Sequence, residues 1–349
     1  MDTGLTLRNL EFLPEKFVDR LAILLGASGS GKSVVICDIL HCIKDHVEQI
    51  IVISPTDRQN HTYDKGIVPS PCIHYTITEK LLVDIWDRQN ALVSVYTNAN
   101  NPNILRALFN KIQNNTDARK IIDEINTKLR NRAKEIKEDG GDPELIKSKI
   151  QEMETEGGKL ILAIFKRCIK ANKEQLSNMK LTKEEIYSLK YFDLNPRLAL
   201  IFDDCTDLIK KFKAHPIIQK LFFQGRWAFI TCLIACHTDV ALEPGLKKNA
   251  FLTIFTEETS AHAYFERKTN DLTKEQKRVS ANACKIAFTG LAKYQKLAWV
   301  RDESRFYTFT SKIHGNFRFG SQHFWDFCNK IKAEAGSIPT NNKFIGDFG

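Results

Sequence analysis

The sequence predicts an α/β chain built around a mostly parallel central sheet, and three observations predict it. The apolar run LAILL at 21–25 leads into a glycine-rich stretch, GASGSGKS at 26–33. The segment after it, GKSVVICDILHCIKDHVEQ, spaces its apolar residues at helical intervals. A second apolar run, QIIVISPT at 49–56, then completes a strand, loop, helix, strand unit. Short continuous apolar runs bounded by turn residues are how strands buried on both faces of a parallel sheet read.

Further runs extend the sheet. RLALIFDD at 197–204 and WAFITCLIACH at 227–237 flank LIKKFKAHPIIQKLFFQGR, whose periodic apolar positions suit one crossover helix, and AFLTIFTEE at 250–258 is a fifth strand. The 227–237 strand is expected beside both the 21–25 and the 198–202 strands. Beyond 280, CKIAFTG reads as a terminal strand, KLAWVRDESRFYTFTS as a hairpin turning at RDES, and FGSQHFWDFCNKI as a short helix. The tail AGSIPTNNKFIGDFG has little periodicity and reads as loosely ordered. Between the second and third core strands, from about 76 to 190, the texture changes to long helical patterns rich in Lys, Arg, Glu and Asp, broken at NANNPN and EDGGDPE. This reads as a helical insertion, with a hairpin of long helices around residues 117–154. Its mixed charges fit a solvated amphipathic bundle or a nucleic-acid-binding arm. The expected layout is a core at 1–75 and 191–315, the charged insertion at 76–190, and a C-terminal helix and tail at 316–349.

Composition narrows the class. The chain has 349 residues, 43% of them hydrophobic, and a formal net charge of +9, so it can bury a real core and would suit an anionic partner. Nine cysteines, an odd number with no CxxC pair, point to packing residues in a reducing compartment. No apolar run approaches the roughly 20 residues that span a bilayer, and the N-terminus lacks the form of a signal peptide. A soluble protein without a membrane span is expected.

Gly26, Gly31, Lys32 and Ser33 satisfy GxxxxGK[ST] after a predicted strand and at the opening of a predicted helix, the context a P-loop requires. Across Gly26, Ala27, Ser28, Gly29, Ser30 and Gly31, small residues let backbone N–H groups turn onto phosphate oxygens at a helix N-terminus. Lys32 would reach the β and γ phosphates of ATP, and the Ser33 hydroxyl would ligate Mg²⁺. LALIFDD supplies the acidic partner. Asp203, at the end of its strand, would hold the metal, while Asp204, turned to the other side of the pleat, would polarise an attacking water. The same stretch also fits a helix cap at Asp204 or Thr206. At the end of the 227–237 strand His237 would face the γ phosphate, or would be an ordinary loop histidine.

Taken together, GASGSGKS, VISPT at 52–56, LALIFDD at 198–204 and FFQGRWAFITCLIACH at 222–237 resemble the FtsK-HerA superfamily of P-loop motor ATPases. Within it they resemble the genome-packaging ATPases of nucleocytoplasmic large DNA viruses, the poxvirus type among them. The resemblance covers roughly 10–60 and 195–310. It implies an ASCE or RecA-like P-loop core, Lys32 and Ser33 on phosphate and Mg²⁺, and Asp203 as the Walker B metal partner. Asp204 stands where the lineage usually has a catalytic glutamate, and His237 where its sensor is commonly glutamine. Arg226 stands where the superfamily places an arginine that reaches a neighbouring subunit's nucleotide, with Arg267 and Arg301 as lesser candidates. The implied activity is ATP-driven translocation of double-stranded DNA by a homo-oligomeric ring, a pentamer or hexamer, packaging a viral genome into a capsid. Capsid or portal-vertex partners, and a place in the host cytoplasm, the viral factory or the virion, go with it. The pore lysines would come from GLKKN at 245–249 or from 266–278. The rival reading is a P-loop phosphotransferase or another NTPase that binds no nucleic acid. No guanine-recognition NKxD sequence follows the apolar runs, and no compact arginine-rich lid is present.

Overall fold

The computed structural model describes residues 7–212, 215–270, 272–289 and 294–336. Contacts divide the chain into two units, Met1–Ala91 with Pro196–Gly349, and Leu92–Asn195. The division falls inside the helix Glu79–Ala99, because the first turns of that helix bury Leu81, Leu82 and Ile85 in the core of the first unit.

The first unit is a mixed α/β P-loop NTPase fold on one nine-stranded sheet. Its strands are β1 (Arg8–Asn9), β2 (Leu21–Leu25), β3 (Gln49–Ile53), β4 (Ile73–His74), β5 (Leu198–Phe202), β6 (Ile230–Cys236), β7 (Leu252–Phe255), β8 (Gln295–Val300) and β9 (Arg305–Thr310). Their order is β1-β9-β8-β7-β2-β6-β5-β3-β4, and every neighbouring pair is parallel except β7 with β8 and β8 with β9. Strand β6 lies between β2 and β5, in the register Leu25↔Cys236 and Phe202↔Ile234. The strand ends that carry GASGSGKS, FDD and His237 therefore meet at one edge of the sheet.

Alternation along the central strands feeds two cores. Ile23, Leu25, Leu200, Phe202, Cys232 and Ile234 face one side. Ala22, Leu24, Ala199, Ile201, Leu233 and Ala235 face the other, where the helix Lys32–Ile43 packs Val35, Ile36, Ile39 and Leu40 against them. Full burial of β2, β5, β6 and β7 explains why they read as unbroken apolar runs.

The structure corrects two expectations about elements. CKIAFTG is the end of a helix, Lys274–Phe288, which buries Ser280, Ala283, Cys284 and Ala287 at helical spacing and opens with a Thr273/Gln276 capping box. The seven-residue window was too short to separate the two periods. The single crossover helix is broken into Thr206–Phe212, Pro216–Gln219, a π turn at Lys220–Gln224 and a 3-10 turn at Gly225–Ala228, since Pro216 cannot continue a helix from its N-terminal side. Most of the tail, 337–349, lies outside the described residues.

The second unit is helical. Thr116–Glu138 and Pro143–Ala171 form a hairpin that turns through Gly140 and Gly141 at φ 73° and 127°, backbone conformations that suit glycine. Asp142 caps the second helix by accepting from the Glu144 N–H at 3.1 Å. Leu105, Leu108, Phe109, Phe165, Ile169 and Leu189 form its core.

Candidate nucleotide site

The loop Gly26–Gly31 joins the end of β2 to the helix Lys32–Ile43, whose N-cap Gly31 has φ 92°. Gly26 is required by close approach, because a Cβ there would sit 1.9 Å from Thr256 Oγ1. The Lys32 ammonium is buried and donates to the carbonyls of Gly26 and Ala27, both at 2.9 Å. The Ser33 hydroxyl donates to Asp203 Oδ2 at 2.9 Å.

Asp203 follows β5 and is 3% exposed. Its Oδ2 also accepts from the hydroxyl of Tyr63, a fully buried ring, at 2.8 Å, while its Oδ1 is buried without a hydrogen-bond partner. Burial pushes the carboxyl above the usual aspartate range, against the pull of the Tyr63 and Ser33 hydroxyls. The charge of Asp204 adds to the rise, and that of Lys32 opposes it. A buried, unpartnered carboxylate oxygen beside a serine hydroxyl is a hard-oxygen donor set that fits Mg²⁺.

Asp204 is separated from Asp203 by a turn and not by the pleat. The strand ends at Phe202, and Asp204 adopts φ 54°, a left-handed conformation that aspartate tolerates better than most residues. This turn directs Asp204 to different partners. Its Oδ2 accepts from Thr56 Oγ1 at 3.2 Å, and its Oδ1 lies 3.3 Å from His237 Nε2. His237 Nδ1 is 3.5 Å from Lys32 Nζ. Hydrogen on Nε2 satisfies both neighbours, with Nδ1 accepting from the ammonium and Nε2 donating to the carboxylate. Thr206 opens its helix and accepts from the His237 N–H at 3.3 Å.

Lys32, Ser33, Asp203, Asp204 and His237 therefore converge at the C-terminal edge of β2, β5 and β6. Arg226 does not join them. It lies in the 3-10 turn before β6, at the opposite edge, in a cleft that also receives Asp19, Arg20, Trp227 and Lys248. Trp227 is 80% exposed there. Arg267 and Arg301 hold the fold: Arg267 Nε lies 3.0 Å from Asp239 Oδ1, and Arg301 donates to the Lys247 carbonyl and the Tyr264 hydroxyl. Lys247, in the GLKKN stretch, is 3% exposed and paired with Asp239 at 2.9 Å, so it is no pore lysine. Tyr63 had no local pattern to mark it. Thr56 sits inside VISPT, but its reach to Asp204 depends on how β3 and β5 pair.

The unfavourable burial of Asp203 has a measurable consequence. Its folded value lies above its unfolded one, so ionisation opposes folding as pH rises from the unfolded value through the folded one. Asp203→Asn is expected to raise the melting temperature at pH 7, without added nucleotide. The gap should narrow as pH falls toward about 4. Thermal unfolding across pH checks this, and a variant less stable than the parent at pH 7 would refute it.

Comparison with known proteins places the chain among viral relatives. It is 30% identical over 364 residues to the uncharacterized protein B354L of African swine fever virus (isolate Pig/Kenya/KEN-50/1950), covering 99% of this chain and 97% of that one. The chain belongs to the B354L family. A second relative of this B354L-family chain, the uncharacterized protein L437 of Acanthamoeba polyphaga mimivirus, is 36% identical over 85 residues, 24% of this chain and 29% of the other. No protein-family model matches. Among solved structures, the genome packaging NTPase B204 from Sulfolobus turreted icosahedral virus 2, in complex with sulfate, aligns with a TM-score of 0.38 at 15% identity, covering 85% and 99% of the two chains. The P-loop fold of this B354L-family member rests on its own strand order and loop geometry.

Proposed function

We propose that this B354L-family protein hydrolyses ATP with Mg²⁺ at the interfaces of a homo-oligomeric ring and uses the turnover to translocate double-stranded DNA, packaging a viral genome. The observation that carries the reading is the arrangement of polar groups along β6. One end brings His237 to Lys32 and Asp204, and the other presents Arg226 on an exposed turn.

Residues 26–31 and Lys32 bind and orient the triphosphate. Ser33 and Asp203 would hold Mg²⁺, which when bound offsets negative charge on the β and γ phosphate oxygens. Asp204 accepts a proton from the water that attacks the γ phosphorus, and the bond from that phosphorus to the β-phosphate bridging oxygen breaks to leave ADP. His237 orients the Asp204 carboxylate and touches the lysine that reads the γ phosphate, so it can register whether that group is present. Arg226, supplied by a neighbouring subunit, stabilises the charge on the transferring phosphoryl group. The net positive charge, relatives in two viruses and the resemblance noted in the sequence support DNA as the cargo. Capsid or portal-vertex proteins in the host cytoplasm are the partners that follow.

Hydrolysis measured with and without long duplex DNA tests this reading, with electron microscopy in a slowly hydrolysed ATP analogue as its companion. A ring of five or six subunits and DNA-stimulated turnover are expected. Phosphoryl transfer to a small acceptor, or no stimulation by DNA in any oligomeric state, would overturn the motor.

A further inference from the structure

The P-loop is held by groups just after β7 and in β8 that belong to none of the nucleotide-binding motifs. Lys296 is the decisive one. It sits in β8 within QKLAWV and is 4% exposed. Its ammonium donates to the Ser30 carbonyl at 2.6 Å and to the Thr256 carbonyl at 3.3 Å. Two neighbours fasten the same loop. Ser30 Oγ and Thr256 Oγ1 are 2.6 Å apart, and the Ala27 N–H donates to Glu257 Oε1 at 2.8 Å. A lysine almost withdrawn from water costs free energy unless its donors are used, and its two partners here are the backbone carbonyls of Ser30, in the loop, and Thr256, just after β7.

Peptide geometry gives this contact a functional direction. The Ser30 carbonyl and the Gly31 N–H belong to one planar trans peptide, so they point opposite ways. Drawing the carbonyl outward onto Lys296 turns the Gly31 N–H inward, toward the concave side where a phosphate would sit. Gly31 itself has φ 92°, and a Cβ added there would lie 3.4 Å from the Lys296 ammonium. Without that ammonium this glycine-flanked peptide is free to rotate, because glycine tolerates both senses of φ.

We infer that Lys296 is a positioning residue for nucleotide binding: from the terminal hairpin it locks the Ser30–Gly31 peptide with its N–H facing the phosphates. This rests on the ATP-binding reading above and extends it to β8. Lys296 thereby ties the hairpin β8–β9 to the loop.

The test compares the full chain with Lys296→Met, which keeps length without the charge, and Lys296→Gln, which keeps one N–H donor. Binding is followed with mant-ATP, mant-ADP and unlabelled adenosine as competitor, together with steady-state KM and kcat and amide exchange of residues 29–33. For Lys296→Met, Kd for mant-ATP and mant-ADP is expected to rise about tenfold, with adenosine competition unchanged, since the lost alignment acts on phosphate. KM should rise with kcat within about threefold, and the Gly31 amide should exchange faster. Lys296→Gln should fall between; if Lys296→Met does not fold, Lys296→Gln decides alone. Parent-like Kd, KM and Gly31 exchange in the folded variants would overturn the inference while leaving ATP binding intact. A parent protein that binds neither mant nucleotide would overturn both.

Discussion

Replacing Lys32 by alanine is expected to lower ATP binding and turnover about a thousandfold, the consequence of losing about 4 kcal/mol of buried, charge-assisted contact. The residue is fixed by its surroundings. Its ammonium lies between the carbonyls of Gly26 and Ala27 and near His237 Nδ1, at the point where β2 and β6 end together. Lys296, the other buried lysine at the loop, spends donors on the Ser30 and Thr256 carbonyls. Equilibrium binding of mant-ATP and steady-state phosphate release check the result. An unchanged hydrolysis rate would refute the loop's assignment as the phosphate site.

Arg226→Ala is expected to leave ATP affinity within about twofold and to lower kcat by 10³ to 10⁵, the scale of an arginine supplied to a transferring phosphoryl group from outside. The separation explains the split between binding and turnover. Arg226 lies at the opposite edge of the sheet from its own chain's Lys32 and Asp204, so it cannot stabilise charge on the nucleotide bound there. Asp204→Asn should be equally inactive. Mixed assemblies of the two variants should regain activity, because an interface pairing the intact Asp204 of one subunit with the intact Arg226 of the other is complete. Absence of rescue at any mixing ratio would show that the arginine does not act in trans.

Most of the sheet could be read from the residues because β2, β3, β5, β6 and β7 are short, buried and unmixed in character. Burial on both faces removes the polar alternation that makes amphipathic segments ambiguous. The position of β6 between β2 and β5 and the hairpin turn at Arg301–Ser304 were legible for the same reason. What failed was local pattern without tertiary context. A seven-residue window hid the helix Lys274–Phe288, Pro216 broke a periodicity that counted only apolar positions, and Lys247, offered with GLKKN as a pore lysine, is buried against Asp239. Within the site, the P-loop and the two aspartates announced themselves through spacing. Tyr63 and Thr56 did not, because their roles depend on β3 pairing with β5. Lys296 left one faint sign, a lysine inside an otherwise apolar strand.

The placement of His237 and Arg226 at the two ends of β6 makes that strand a ruler. Seven residues at about 3.3 Å each give β6 a length of about 23 Å from the end that follows the Arg226 turn to the end that leads into His237. A strand hydrogen-bonded on both sides neither stretches nor slips by one residue without turning every buried side chain to the wrong face. The separation of the two ends is therefore fixed by the register of β6 with β2 and β5.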